Sequence, residues 1–135
     1  PLHQEAFDAL SRNDLPGAKA AYQRALAEAP ADADAAAGLA QVELLERVYA
    51  LDADQARRAA AEDPESVERA LEVADLDISG GHIEDAFVRV LGLYSAASDE
   101  DKERLRERLL TYFTIVGQAA PEVKKARAHL TSLMF

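Results

Sequence analysis

Residues 70–90 read ALEVADLDISGGHIEDAFVRV, and two helices and the turn between them are legible in that stretch. Val67, Leu71, Ala74 and Ile78 recur at intervals of three or four, which places them on one face of a helix. Gly80-Gly81 breaks it, since glycine reaches the backbone conformations that end a helix. Ile83, Ala86, Phe87, Val90 and Leu91 then form a second apolar stripe. The pattern recurs 68 residues earlier, where Ala6 matches Ala74, Leu10-Ser11 matches Ile78-Ser79, Leu15 matches Ile83 and Ala18 matches Ala86. Half that offset is also present. Pro30 and Pro64 lie 34 residues apart, and a shift of 34 lays Leu39-Ala40 over Val73-Ala74, a large-then-small pair suited to a helix crossing.

Working outward, caps and breakers predict six further helices and no strand. One runs over residues 2–12, followed by the Asn13-Asp14 turn and cap. A second has Pro16 in its first turn and stops before Pro30. Asp32 caps a third through Tyr49, and Asp52 caps a short fourth that ends before Asp63-Pro64. Ser66 caps the helix that enters the quoted stretch, and Ser98 caps a seventh that ends at Gly117. Pro121 opens the eighth. The expected fold class is therefore all-α, a tetratricopeptide-like right-handed helical solenoid of about eight antiparallel helices. The alternative is an ordinary antiparallel bundle.

The 34-residue spacing resembles the tetratricopeptide signature, with small residues at the eighth and twentieth positions and a closing proline. Ala6, Ala40 and Ala74 hold the eighth position, and Ala18 and Ala86 the twentieth. Tyr22 holds an aromatic packing position, and Ala25 and Ala59 another small one. Asp52 falls at the twentieth position of the second repeat and Ala56 replaces its aromatic, so that repeat is degenerate. The expected divisions are repeat 1 over 1–30, degenerate repeat 2 over 31–64, repeat 3 over 65–98, and a closing helical hairpin over 99–135.

Composition narrows the function. Twenty-five acidic residues against 15 basic ones give a net charge of −10, which disfavours nucleic acid. The charge is uneven: residues 101–135 carry seven basic and four acidic residues, +3, and residues 1–100 carry eight and 21, −13. There is no cysteine, so disulfides, thiolate metal sites and cysteine nucleophiles are excluded. No signal peptide or membrane-spanning run is present, and the expected location is the cytoplasm, with no membrane partner. His3, His82 and His129 are scattered and form no metal motif. The acids Asp75 and Asp77, and Asp99 to Asp101, read as solvated helix faces. No nucleophile–base pair is visible, so no enzyme activity, cofactor or metal is expected.

The order of segments is narrower still. ALSRNDLPGAKAAYQRALAEAPADADAAAGLAQVELLERV is followed by a degenerate helix and DPESVERALEVADLDISGGHIEDAFVRVLGLY, closing with RLRERLLTYFTIVG and VKKARAHLTSLMF. This series resembles the C-terminal half of YbbN-like proteins, thioredoxin-like co-chaperones also called chaperedoxins. The resemblance rests on Ala37 to Ala40, on the Gly-Gly turn before Ile83 to Ala86, and on Ala126-Arg127 to Phe135. It implies an N-terminal thioredoxin-fold domain ahead of a repeat domain like this one. It also implies a role in holding unfolded clients and passing them to folding chaperones such as the chaperonin. Because the chain begins at Pro1 rather than Met, a piece of a longer protein is expected, without the thioredoxin part. The alternative is a freestanding tetratricopeptide adaptor for one specific protein partner. Partner-binding candidates are Phe7, Gln41, Leu44 and Asp75, on the first helices of the pairs, and Phe135, at the apolar end of the last helix.

Overall fold

Five side chains cap the starts of five helices, and each is a residue that the sequence marks as a cap. In the computed structural model, which describes residues 1–135, a carboxylate oxygen of Asp14 accepts from the Gly17 backbone N–H at 3.0 Å. Asp32 accepts from Ala35 and Asp52 from Gln55, each at 3.0 Å, while Ser66 accepts from Arg69 and Ser98 from Asp101 at 3.2 Å. Each bond satisfies one of the N–H groups that a helix start leaves unpaired. The eight helices are α1 (Leu2–Ser11), α2 (Leu15–Glu28), α3 (Ala33–Tyr49), α4 (Ala53–Glu62), α5 (Val67–Ser79), α6 (Ile83–Tyr94), α7 (Asp99–Val116) and α8 (Pro121–Met134). The architecture is all-α and of tetratricopeptide type, with no strand.

The chain divides into two packed units, Pro1–Glu46 and Arg47–Phe135, the boundary falling in the last turn of α3. In the first unit α1 and α2 form a hairpin whose interior is nearly all alanine: Ala6, Ala9, Ala18, Ala21 and Ala25 are buried. Ala9 and Ala18 meet Val42 of α3, with Leu10, Leu15 and Tyr22 packed around them. Small side chains let the backbones approach closely. Gly38 shows how closely, since a Cβ there would lie 2.3 Å from the Tyr22 ring. Ion pairs from Glu5 to Arg24 and from Lys19 to Glu46 lie across the helices, at 3.4 and 3.1 Å.

In the second unit α5 and α6 form the matching hairpin, and α4 packs on α5. Helix α7 lies on α5 and α6, and α8 on α6 and α7, so the final pair stacks on the pair before it. The core here is larger: Leu105, Leu109, Tyr112 and Phe113 of α7 are fully buried, and the Phe113 ring meets Phe87 edge to face with centroids 5.4 Å apart. Asp52, unexpected at a small-residue position, caps α4 from just outside the helix, so it takes no place in the helix packing.

The two hairpins share one turn. In the first, the Asp14 N–H reaches the Ala9 carbonyl at 2.8 Å and the Asn13 N–H reaches Leu10 at 2.9 Å. In the second, His82 reaches Asp77 at 2.8 Å and Gly81 reaches Ile78 at 3.2 Å. Both are Schellman closures, and both need a residue in the left-handed region, filled by Asn13 (φ 59°) and Gly81 (φ 83°). The residues correspond one to one at the 68-residue offset seen in the sequence.

Gly38 yields a test whose sign depends on packing. Helix propensity alone makes Gly38→Ala stabilising by roughly 0.5–1 kcal/mol. Displacement of the Tyr22 ring reverses this, and a net loss of about 1–2 kcal/mol is expected in urea denaturation. In a Tyr22→Ala background the same substitution turns stabilising. Stabilisation by Gly38→Ala with Tyr22 intact would show that the ring does not constrain this position.

Candidate protein-binding site

The most concentrated polar chemistry lies inside the second unit. Asp75, mid-way along α5, is 2% exposed, yet it faces two guanidinium groups and a phenol. Arg47 donates from Nε to Oδ2 at 2.8 Å and from Nη2 to Oδ1 at 3.2 Å. Arg108 of α7 donates from Nη1 to both carboxylate oxygens at 3.0 Å, and the Tyr112 hydroxyl donates to Oδ1 at 2.6 Å. Burial, reinforced by the neighbouring negative charge, drives the Tyr112 phenol well above its ordinary range and keeps it a neutral donor. Two residues on, Asp77 is 5% exposed and accepts from Nη2 of Arg57 on α4 at 2.9 Å. A step of two residues turns about 200° around a helix, so the acids serve opposite sides of α5.

These pairs correct the reading of Asp75 and Asp77 as a solvated face. Each carboxylate meets arginine from elsewhere in the fold, which is what makes its burial tolerable. The same contacts remove Asp75 from the partner-binding surface. Leu44 is likewise interior, fully buried on α3 on the side opposite Val42. Among the other candidates, Phe7 is 63% exposed on α1, Gln41 is half-buried on α3, and Phe135 is 98% exposed beyond the end of α8. Met134 is also exposed, while Val123, Ala126 and Leu130 anchor the rest of α8. Asp75 is closed off by its arginines, whereas Phe135 stands in solvent.

A surface absent from the sequence reading lies between α6 and α8. It is a groove of about 260 Å³ with an apolar floor of Phe87, Leu91, Pro121 and Ala126. Val88 stands on its wall at 65% exposure. Lys125 and Glu84 face each other across the mouth at 3.7 Å, both exposed. Val88 carried the one available signal, as an apolar residue off the buried stripe of α6. A second depression, between α5 and α7, is lined by Leu71, Arg104, Glu107, Arg108 and Thr111. Its cations are already engaged, Arg104 with Asp101 at 3.4 Å and Arg108 with Asp75, so it is not an open clamp for a carboxylate.

An all-helical chain of stacked hairpins with small residues at the crossings belongs to the class of helical repeat scaffolds. Residues 46–135 match the tetratricopeptide repeat family, and the chain belongs to it. Domains of this kind mediate protein–protein interactions, so protein binding is the general role assigned to the chain. The whole chain is 29% identical to an uncharacterized protein of Mycobacterium tuberculosis, Rv1324, and equally to one of Mycobacterium bovis, Mb1359. It spans 44% of the length of each of these relatives. No solved structure matches it. No helix is long and apolar enough to cross a membrane.

The Asp75 cluster has testable energetics. Asp75→Ala leaves two guanidinium groups facing a cavity, and a loss of about 3–5 kcal/mol is expected in denaturant unfolding. Tyr112→Phe removes a hydrogen bond to a charged acceptor and costs about 1.5–3 kcal/mol. The pH dependence has a definite sign. A phenol raised by folding contributes stability that is complete below its unfolded value of 10.0 and declines as pH rises past that value, because only the unfolded chain releases the proton readily. Wild type should therefore lose stability above that pH relative to Tyr112→Phe. Parallel curves for the two proteins would exclude the linkage.

Proposed function

We propose that this chain is the protein-binding domain of a thioredoxin-like co-chaperone, a cytoplasmic holdase that retains non-native clients and passes them to folding chaperones. The observation that carries the reading is a repeat scaffold that leaves large apolar side chains in solvent: Phe7, Tyr49, Val88, Met134 and Phe135. Exposed aromatic and aliphatic groups on an otherwise acidic surface suit transient capture of apolar chain segments, and the net charge of −10 keeps the scaffold soluble while it holds them. The segment order of the YbbN-like family supports the same reading. So do the longer relatives, in which more than half of the protein lies outside the matched portion. Redox chemistry is not part of the proposal for these residues, which include no cysteine.

An aggregation assay tests it. The chain at equimolar ratio should suppress light scattering from a thermally unfolding, unrelated enzyme, and Phe7→Ser with Phe135→Ser should reduce that protection at least about twofold with an unchanged thermal midpoint. Absence of protection would remove the holdase reading and leave an adaptor for one specific partner.

A further inference from the structure

We propose that the groove between α6 and α8 is a docking site for a basic, amphipathic helical segment of a partner protein. The inference deepens the protein-binding role proposed above and assigns that role a place and a ligand chemistry. At about 260 Å³ the groove falls below the roughly 300 Å³ at which small-molecule pockets begin, but it has room for side chains from one face of a peptide. The floor is apolar and fixed. Phe87 is held from beneath by Phe113, with centroids 5.4 Å apart, and Leu91 and Ala126 are buried parts of the core. Val88, left in solvent on the wall, offers apolar area that nothing in the chain covers. Two adjacent helices with a trough between them suit an incoming helix whose anchors recur at three- and four-residue spacing.

Charge selects the kind of segment. Helices α6 and α8 begin side by side, so Glu84, Asp85 and Glu122 gather at one end of the groove, where they line a common depression. Acids are favourable at helix starts, which accounts for their presence there. It does not account for their number relative to the cations beside them. Lys125 is the one lysine on the rim, and Glu84 already engages it, while Asp85 and Glu122 have no ion pair. Arg89, a turn beyond Asp85, forms no ion pair with it. The groove thus joins an apolar floor to an acidic end. The complementary ligand buries aliphatic or aromatic side chains along the floor and places Lys or Arg against Asp85 and Glu122. This site uses the second helices of the hairpins and is separate from the α5–α7 face around Asp75.

Fluorescence anisotropy on the whole chain tests the assignment. The probe is a labelled peptide of about four helical turns, with Leu at three- and four-residue spacing and Lys elsewhere; the comparison is its Glu-for-Lys counterpart. The basic peptide should bind saturably and the acidic one at least about tenfold more weakly. Val88→Lys and Glu122→Lys should each weaken binding about fivefold with an unchanged thermal midpoint, both positions being at the surface. Asp34→Lys, an exposed charge reversal on α3, should leave binding unchanged. Equal weakening by Asp34→Lys and Glu122→Lys would reduce the effect to bulk acidity and overturn the site, as would wild-type affinity in Val88→Lys. Two outcomes separate this proposal from the holdase reading. Client protection that persists while the peptide ignores the groove variants keeps the holdase and overturns the groove. Groove-dependent peptide binding without client protection keeps the groove and overturns the holdase.

Discussion

One carboxylate is the point on which the second unit turns. Asp75 lies in the interior of α5 and accepts hydrogen bonds from Arg47, Arg108 and Tyr112. A carboxylate so far from water is costly alone, and the Arg47 fork, one nitrogen of Arg108 and the Tyr112 hydroxyl occupy its lone pairs. The arrangement constrains position as much as energy. Helices held only by alanine and leucine slide past one another at little cost, but a carboxylate that must meet both Arg108 and Tyr112 of α7 tolerates little displacement. The register of α7 against α5 is therefore set by charge, and the apolar contacts of Leu105, Leu109 and Phe113 fill the space that this register defines. Asp77 and Arg57 do the same for α4 on the other side.

The first unit solves the same stacking problem with almost no charge inside. Alanines at the crossings bring α1 and α2 together, and ion pairs lie at the periphery, Glu5 with Arg24 exposed and Lys19 with Glu46 half-buried. Surface pairs of this kind contribute little each, so close backbone approach carries the association. The identical turns at Asn13 and Gly81 show that hairpin geometry is conserved between the units even though their interiors differ.

Much of this was legible in the residues. Caps at Asp14, Asp32, Asp52, Ser66 and Ser98, breakers at Gly80-Gly81 and Gly117, and the 34-residue spacing are local signals, and local signals define helices. What stayed hidden depended on partners distant in the chain. Asp75 looks like any polar residue until Arg108, 33 positions later, is folded against it. Leu44 looked available because a stripe of apolar residues does not say how much of itself is covered. The α6–α8 groove eluded the reading for the same reason. Its floor comes from two helices, each of whose patterns is explained by core packing alone. Only Val88, apolar and off the stripe, hinted that a face was unfinished.

The alanine interior of the first unit has a consequence for how the chain breathes. An alanine buries far less apolar surface than a leucine or an aromatic ring, so residues 1–46 gain less from packing than the unit holding Tyr112, Phe113, Leu105 and Leu109. Protection of amide hydrogens follows local packing energy. Amides of α1 and α2 therefore exchange through shallow openings, while those of α5 and α7 wait for deeper unfolding. The chain consequently has a soft end and a firm end, and apolar surface such as Phe7 lies on the part that opens most readily.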